Sequence, residues 1–233
     1  MMHDTSVLDD PVGRSLRGPH ACFARRLGQA ATYLPEVTTF SVVPADANTS
    51  AWDDLAELLG PGELADVFSC PATPPSGWEP VFRLEGRQMI WCGTGRFDHP
   101  PARPGTEVVE LGAGDVPEML DLVARTQPGP FWPRTRELGI YLGIRDNGTL
   151  VAMAGERLRP PGWSEISAVC TAPEARGQGH AARVVHALVE RITARDERPF
   201  LHVAETNTGA IDLYTRWGFE TRKPVTFRGF RTP

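Results

Sequence analysis

The apolar positions fall into clean periods from residue 104 onward and into ragged ones before it. Between Gly179 and Ile192, the residues Ala181, Ala182, Val184, Val185, Leu188, Val189 and Ile192 make one stripe, with Arg183, His186, Glu190 and Arg191 on the remaining faces. That is the period of an amphipathic helix. Asp115 to Ala124 places Val116, Met119, Leu120 and Val123 at the same spacing and predicts a second helix, and Thr208 to Trp217, closed by Gly218, predicts a third. Glu107 to Leu111 alternates as a strand does. Ile140 to Ile144 and Thr149 to Arg157 flank Asp146-Asn147-Gly148, and an Asn-Gly pair between alternating apolar runs predicts a hairpin. Glu165 to Cys170 and Phe200 to Ala204 read as strands, and Phe219 to Phe230 as one or two more. Strands interleaved with helices in this order predict a mixed α/β (α+β) fold, a mixed sheet covered by helices on both faces.

The stretch His99-Pro100-Pro101-Ala102-Arg103-Pro104-Gly105 cannot continue a helix or a central strand and reads as a stiff connector. It divides the chain into residues 1–103, a smaller α+β segment, and residues 104–233. In the first part the pattern predicts a helix around Ala21 to Ala31 and a strand over Phe40 to Val43. A short amphipathic helix follows over Trp52 to Leu59, ended by Gly60-Pro61. Val81 to Leu84 and Met89 to Trp91 read as two strands around a turn at Glu85-Gly86. The pattern yields no chemical constellation there.

A chain of 233 residues buries a core without disulfides or metals. Its formal charge of -5 gives no field that gathers nucleic acid or anionic lipid, and Arg14, Arg17, Arg25 and Arg26 lie beside Asp9 and Asp10 as a solvated surface. Cys22, Cys70, Cys92 and Cys170 are too scattered for a zinc site or a disulfide framework and read as reduced thiols. No window approaches a membrane span. The opening, with His3, Asp4, Asp9 and Asp10, does not resemble a secretory signal. These readings predict a cytoplasmic protein with no metal and no nucleic-acid or membrane partner.

Chemistry concentrates at two places. Thr171-Ala172-Pro173-Glu174-Ala175-Arg176-Gly177-Gln178-Gly179-His180-Ala181 joins a strand to the long helix. Glycines at a helix start leave backbone N–H groups free to hold a phosphate, and Arg176 adds charge there; a plain turn with an exposed arginine is the alternative. The loop is neither a dinucleotide fingerprint nor a nucleoside-triphosphate loop. The second place is Asn207 to Glu220, where Asn207 caps a helix whose Ala210, Leu213, Tyr214 and Trp217 share a face. Tyr214 is core or catalytic by its position on that face. His180 reads as a backbone contributor, and His202 as a packed histidine or a proton relay. No G-x-S-x-G and no serine, histidine and acid order is present.

Arg176, Gly179 and Ala181 satisfy the cofactor-loop pattern of the GCN5-related N-acetyltransferases, with Val169, Thr171 and Pro173 at family-like positions upstream. Asn207, Ala210, Leu213, Tyr214, Gly218 and Phe219 satisfy the family's later pattern. The chain therefore resembles that superfamily, and within it the branch that looks like the C-terminal domain of glycine N-acyltransferases. The resemblance covers residues 105 to 230, and the first hundred residues resemble the variable segment of two-part members, either unrelated or a degenerate copy of the same fold. It implies a centrally splayed sheet with acetyl-coenzyme A, or another acyl-coenzyme A, between the strands of Glu165 to Cys170 and Phe200 to Ala204. Gly177, Gln178, Gly179, His180 and Ala181 would hold the pyrophosphate, and an amide at Val169 or Cys170 the thioester carbonyl. Tyr214 is implied as general acid and Glu165 as general base, although Glu165 also reads as a solvated strand start. The implied activity is acyl transfer to the primary amine of a small molecule by a monomer or homodimer. A protein lysine or N-terminus as acceptor, or a sensor that binds acyl-coenzyme A without turnover, are the other readings.

Overall fold

The computed structural model describes residues 4–68, 70–99, 101 and 103–233. His3 and, in the connector, Pro100 and Ala102 lie outside the described residues. The amino-terminal part runs α1 (Pro11–Arg17), β1 (Ala24–Leu27), β2 (Ala30–Tyr33), β3 (Phe40–Val42), α2 (Thr49–Leu59), β4 (Leu64–Phe68) and β5 (Glu79–Trp91). The carboxyl-terminal part runs β6 (Val108–Glu110), α3 (Val116–Thr126), β7 (Tyr141–Asp146), β8 (Thr149–Glu156), β9 (Trp163–Thr171), α4 (His180–Thr193), β10 (Arg198–Ala204), α5 (Thr208–Arg216) and β11 (Phe219–Arg231). All join one mixed sheet in the order β1-β2-β3-β4-β11-β5-β10-β9-β8-β7-β6.

The carboxyl-terminal elements follow their local signals. Asn147 and Gly148 both take positive φ, 50° and 84°, which is the turn an Asn-Gly hairpin demands. The apolar stripe of α4 is buried at Val184, Val185, Leu188 and Ile192 against β8, β9 and β10. Asn207 caps α5 by accepting from the Ala210 N–H at 3.2 Å.

Two amino-terminal expectations are corrected. Residues 21 to 31 form a short 3-10 turn and then the β1-β2 hairpin. Its Gly28 sits at φ +50°, where a Cβ would lie 2.0 Å from Asp54. Pairing of β2 with β3 and packing on α2 outweigh the helix propensity of Ala, Arg and Leu. Glu85 and Gly86 form no turn: they lie inside the single strand β5, and a Cβ on Gly86 would come within 2.7 Å of the Val203 carbonyl oxygen. The glycine marks a close approach of strands.

The order helix, three strands, helix, two strands recurs on both sides of the connector, with β6 and α5 added in the second half. β3 and β4 are parallel and joined by α2, as β9 and β10 are parallel and joined by α4. Each crossover is followed by a strand of thirteen residues, and these two, β5 and β11, pair along their lengths from Phe219↔Trp91 to Arg231↔Glu79. The far side of β5 pairs with β10, and the far side of β11 pairs with β4. Each half thus lends its last strand to the other.

Candidate active site

Strands β9 and β10 are hydrogen-bonded only from Trp163/Arg198 to Glu165/Phe200 and then part. Opposite β8, the partner of Met153 is Cys170 and that of Gly155 is Ser167, so β9 carries one extra residue between them. Ala168, within that extra stretch, has φ +52°. A bulge of this kind bends the strand and takes amides out of the ladder. The gap opens into a cleft of 990 Å³. Its walls include Val203 and Ala181, which pack on the α4 side of the sheet, and Phe68 and His202, which belong to the opposite side. The cleft therefore passes through the sheet.

Most of the residues singled out from sequence meet there. Val169, Cys170 and Thr171 line it from β9, Arg176 and Ala181 from the loop and helix, and Asn207 and Tyr214 from α5. Gly177 and Gly179 both hold φ +76°, and a Cβ at Gly177 would meet nothing within 4 Å. Among the described residues no acceptor is found for the amides of residues 177–182. An open, glycine-lined helix start with free N–H groups fits a pyrophosphate, so the residues present suit coenzyme A. The Gln178 side chain accepts from Arg103 at 2.5 Å and contributes only its backbone to this loop. His180 is turned inward, 3% exposed with neither ring nitrogen bonded among the described residues, and burial lowers its pKa.

Tyr214 faces the cleft without a hydrogen-bond partner among the described residues, and burial raises the pKa of its hydroxyl. Burial likewise pushes the Cys170 thiol up to about 11. A thiol in that state is not a nucleophile at neutral pH.

Glu165 lies elsewhere than a base in contact with an acceptor would. It is wholly buried behind the cleft wall. Arg157 donates to it twice, Nε at 2.9 Å and Nη2 at 2.6 Å, and its Oε1 lies 2.7 Å from His202 Nδ1. Burial would raise its pKa, but the Arg157 charge and these hydrogen bonds outweigh that and bring it to about 2. His202 is held at both nitrogens, with Nε2 at 3.0 Å from the Gln88 amide nitrogen, which fixes the tautomer that donates from Nδ1. It is a packed histidine.

Sequence reasoning missed the far end of the cleft. Phe40, Asp66 and Phe68 of the amino-terminal half, with Arg157 and Phe227, line it. No motif marks them. The available signal was Asp66 itself, a lone acid in the apolar run Leu64-Ala65-Asp66-Val67-Phe68. Among the described residues no cluster of histidine, cysteine or acids has the makings of a metal centre, and no helix is long and apolar enough to cross a membrane.

Residues 141–227 match the sequence profile of the family described as FR47-like protein. No curated protein matches the chain. Among solved structures, a GNAT-family protein from Novosphingobium aromaticivorans DSM 12444 is 36% identical over 97% of this chain and 99% of its own, with a TM-score of 0.85. A GCN5-related N-acetyltransferase from Kribbella flavida is 16% identical, covers 100% of this chain and 97% of its own, and reaches a TM-score of 0.65. A GCN5-related N-acetyltransferase-like protein from Streptococcus suis 89/1591 is 15% identical over 97% and 96% of the two chains, with a TM-score of 0.56. The last two show likeness of fold. The splayed mixed sheet, the glycine-lined helix start and the full-length likeness to the Novosphingobium protein establish that this chain belongs to the GNAT superfamily, the GCN5-related N-acetyltransferases.

Proposed function

We propose that the chain moves an acetyl or other short acyl group from acyl-coenzyme A to the primary amine of a small molecule, by direct attack with both substrates bound. The observation that carries this reading is the cleft that passes through the sheet between β9 and β10. Coenzyme A, bound with its pyrophosphate on the amides of residues 177–182, supplies an acyl thioester at the gap. An amine entering from the Asp66 end meets it there, and fixing two reactants in one cleft removes much of the entropy cost of their meeting.

The chain's own groups suit such a transfer. The extra residue in β9 takes Ala168 and Val169 out of register with β8, so the Val169 amide suits a carbonyl oxygen on which charge develops. Tyr214 keeps its proton through the neutral range, because burial raises its pKa. The acceptor ammonium loses one proton to solvent, and the neutral amine forms the C–N bond as the C–S bond breaks. Tyr214 protonates the departing thiolate, and the proton shed by the amide nitrogen restores its hydroxyl. Cys170 stays a thiol, which disfavours a route through an acyl-cysteine. Glu165 acts at one remove by holding Arg157 and His202 in place. An acidic chain whose cysteines are all free suits the cytoplasm, where we place it.

The test is release of free coenzyme A from acetyl-coenzyme A with a panel of amines, amino acids, polyamines and short peptides, with products read by mass. An acetylated small amine supports the reading. Reaction with peptides alone moves the acceptor to proteins, and tight binding of acetyl-coenzyme A without any product makes the chain a sensor. In Tyr214→Phe we expect kcat to fall about 100-fold with coenzyme A affinity unchanged; full activity removes the general-acid role.

A further inference from the structure

Asp66 is the one acid lining the cleft among the described residues, and the fold leaves it without a cation. Strand alternation puts Asp66 and Phe68 on the cleft face of β4, while Ala65 and Val67 pack toward α2. Asp66 is 5% exposed, and its single side-chain hydrogen bond among the described residues is a long one, accepted from Thr39 Oγ1 at 3.4 Å. A buried carboxylate normally sits against a cation or several donors.

The neighbouring charges do not complete it. Arg157 lies near enough to act on Asp66 through its charge, yet its guanidinium is taken by Glu165 in a two-pronged pair. His202 faces Glu165 and Gln88, and burial keeps it neutral. Tyr141, also near Arg157, is buried and un-ionised, and Lys223, which acts on His202 from a distance, is paired with Asp9. Asp66, Glu165 and Arg157 together carry one uncompensated negative charge.

The walls around that charge are aromatic. Phe40 and Phe68 lie 5.2 Å apart between ring centres, Phe68 and Phe227 4.8 Å apart. Arg157 covers the Phe40 and Phe68 rings at 5.0 and 5.7 Å. At the rim, Phe82 and Leu84 project from the same face of β5 and remain 38% and 41% exposed, apolar surface that a ligand body would cover. Aromatic faces also attract a cation.

We infer that this end of the cleft is the acceptor subsite, and that Asp66 receives the ammonium of a singly charged amine whose body is apolar and of aromatic size. The inference deepens the acyl-transfer reading and rests on it for the word acceptor, but the binding it describes stands without turnover. A polyamine or aminoglycoside would bring charges for which the cleft has no further acid. An α-amino acid would bring a carboxylate to a cluster already negative.

The test is calorimetric titration of the full chain, saturated with coenzyme A, with 2-phenylethylamine. The controls are 2-phenylethanol, ethylamine, spermidine and phenylalanine. We expect 2-phenylethylamine to bind at least tenfold more tightly than any control, and Asp66→Asn to lose at least tenfold of that affinity while its coenzyme A affinity stays within twofold. Equal binding of 2-phenylethanol by the unaltered protein, tighter binding of spermidine or phenylalanine, or unchanged affinity in a folded Asp66→Asn variant would each overturn the subsite. The comparison with the alcohol needs no variant, so misfolding of Asp66→Asn leaves the proposal open to refutation. Binding of the amine without acetylation would uphold the subsite and sink the transfer reading. Acetylation of amines that bind equally well to Asp66→Asn would uphold transfer and sink the subsite.

Discussion

Burial of the Asp66 carboxyl on β4, moderated by the Arg157 charge, lifts its pKa from 3.8 to about 6. Because the folded value lies above the unfolded one, the cost of ionising Asp66 is fully present above about pH 6 and fades as pH falls toward 3.8. Asp66→Asn should therefore be more stable than the parent at pH 7, by at most roughly 3 kcal/mol, with the gain gone near pH 4. Urea unfolding at the two pH values checks this, and equal stability at pH 7 refutes it. His20 has the opposite dependence. It is buried between the Tyr33 hydroxyl and the Leu138 carbonyl with its pKa lowered to about 4. Its contribution is whole above 6.5 and lost as pH falls through that range to about 4. Along the sequence Asp66 is one acid in an apolar run where no strand is predicted, and which face it occupies and which charges stand near it depend on residues from the other half of the chain. Glu165 teaches the converse: the same residue type reads as a base by position, and only its contact with Arg157 reveals an anion held in place.

At the scale of elements, the loop into α4 was legible because its signal is local. Arg176, Gly177 and Gly179 lie within four positions, and their geometry follows from what glycine alone does readily at φ +76°. Gly179→Val should cost about 1 to 2 kcal/mol of stability, because a side chain in the left-handed region strains the backbone. It should also weaken acetyl-coenzyme A binding at least tenfold through distortion of the amides beside it. Thermal melts and a binding titration report the two effects separately; unchanged affinity in a folded variant contradicts the phosphate site. The bulge in β9 was not legible. Ala168 carries no conformational signature, and its φ of +52° arises from the pairing of β9 with β8 on one side and the loss of pairing with β10 on the other.

For the whole molecule, the exchange of β5 and β11 makes the two halves interdependent. Met89 of β5 is buried in the carboxyl-terminal core, and Gln88 is fully buried with its amide on the Leu8 carbonyl and its oxygen receiving Arg222. Residues 104–233 expressed alone would expose the long edges of β10 and β11, an invitation to aggregation. We expect that piece to be insoluble or unfolded, and residues 1–103 and 104–233 co-expressed as separate chains to form a soluble complex with the circular dichroism of the intact protein. A folded, soluble 104–233 would show that β5 is dispensable. The predicted break at the prolines is a feature of the chain, and the sheet runs on across it.

The sequence by itself determined the elements of the carboxyl-terminal half, the left-handed glycine turn at the entrance to α4 and the helix that carries Tyr214. Periodicity, glycine conformation and helix capping all act over a few residues, so their signals survive in one dimension. Tertiary structure alone decided the hairpin at Gly28, the continuity of β5, the bulge at Ala168 and the assembly of Asp66, Arg157 and the phenylalanines at one end of the cleft. Those depend on which strands pair and which charges share a buried volume. Strand pairing across distant segments can override local propensity, and a buried charge takes its character from neighbours that the order of residues does not name.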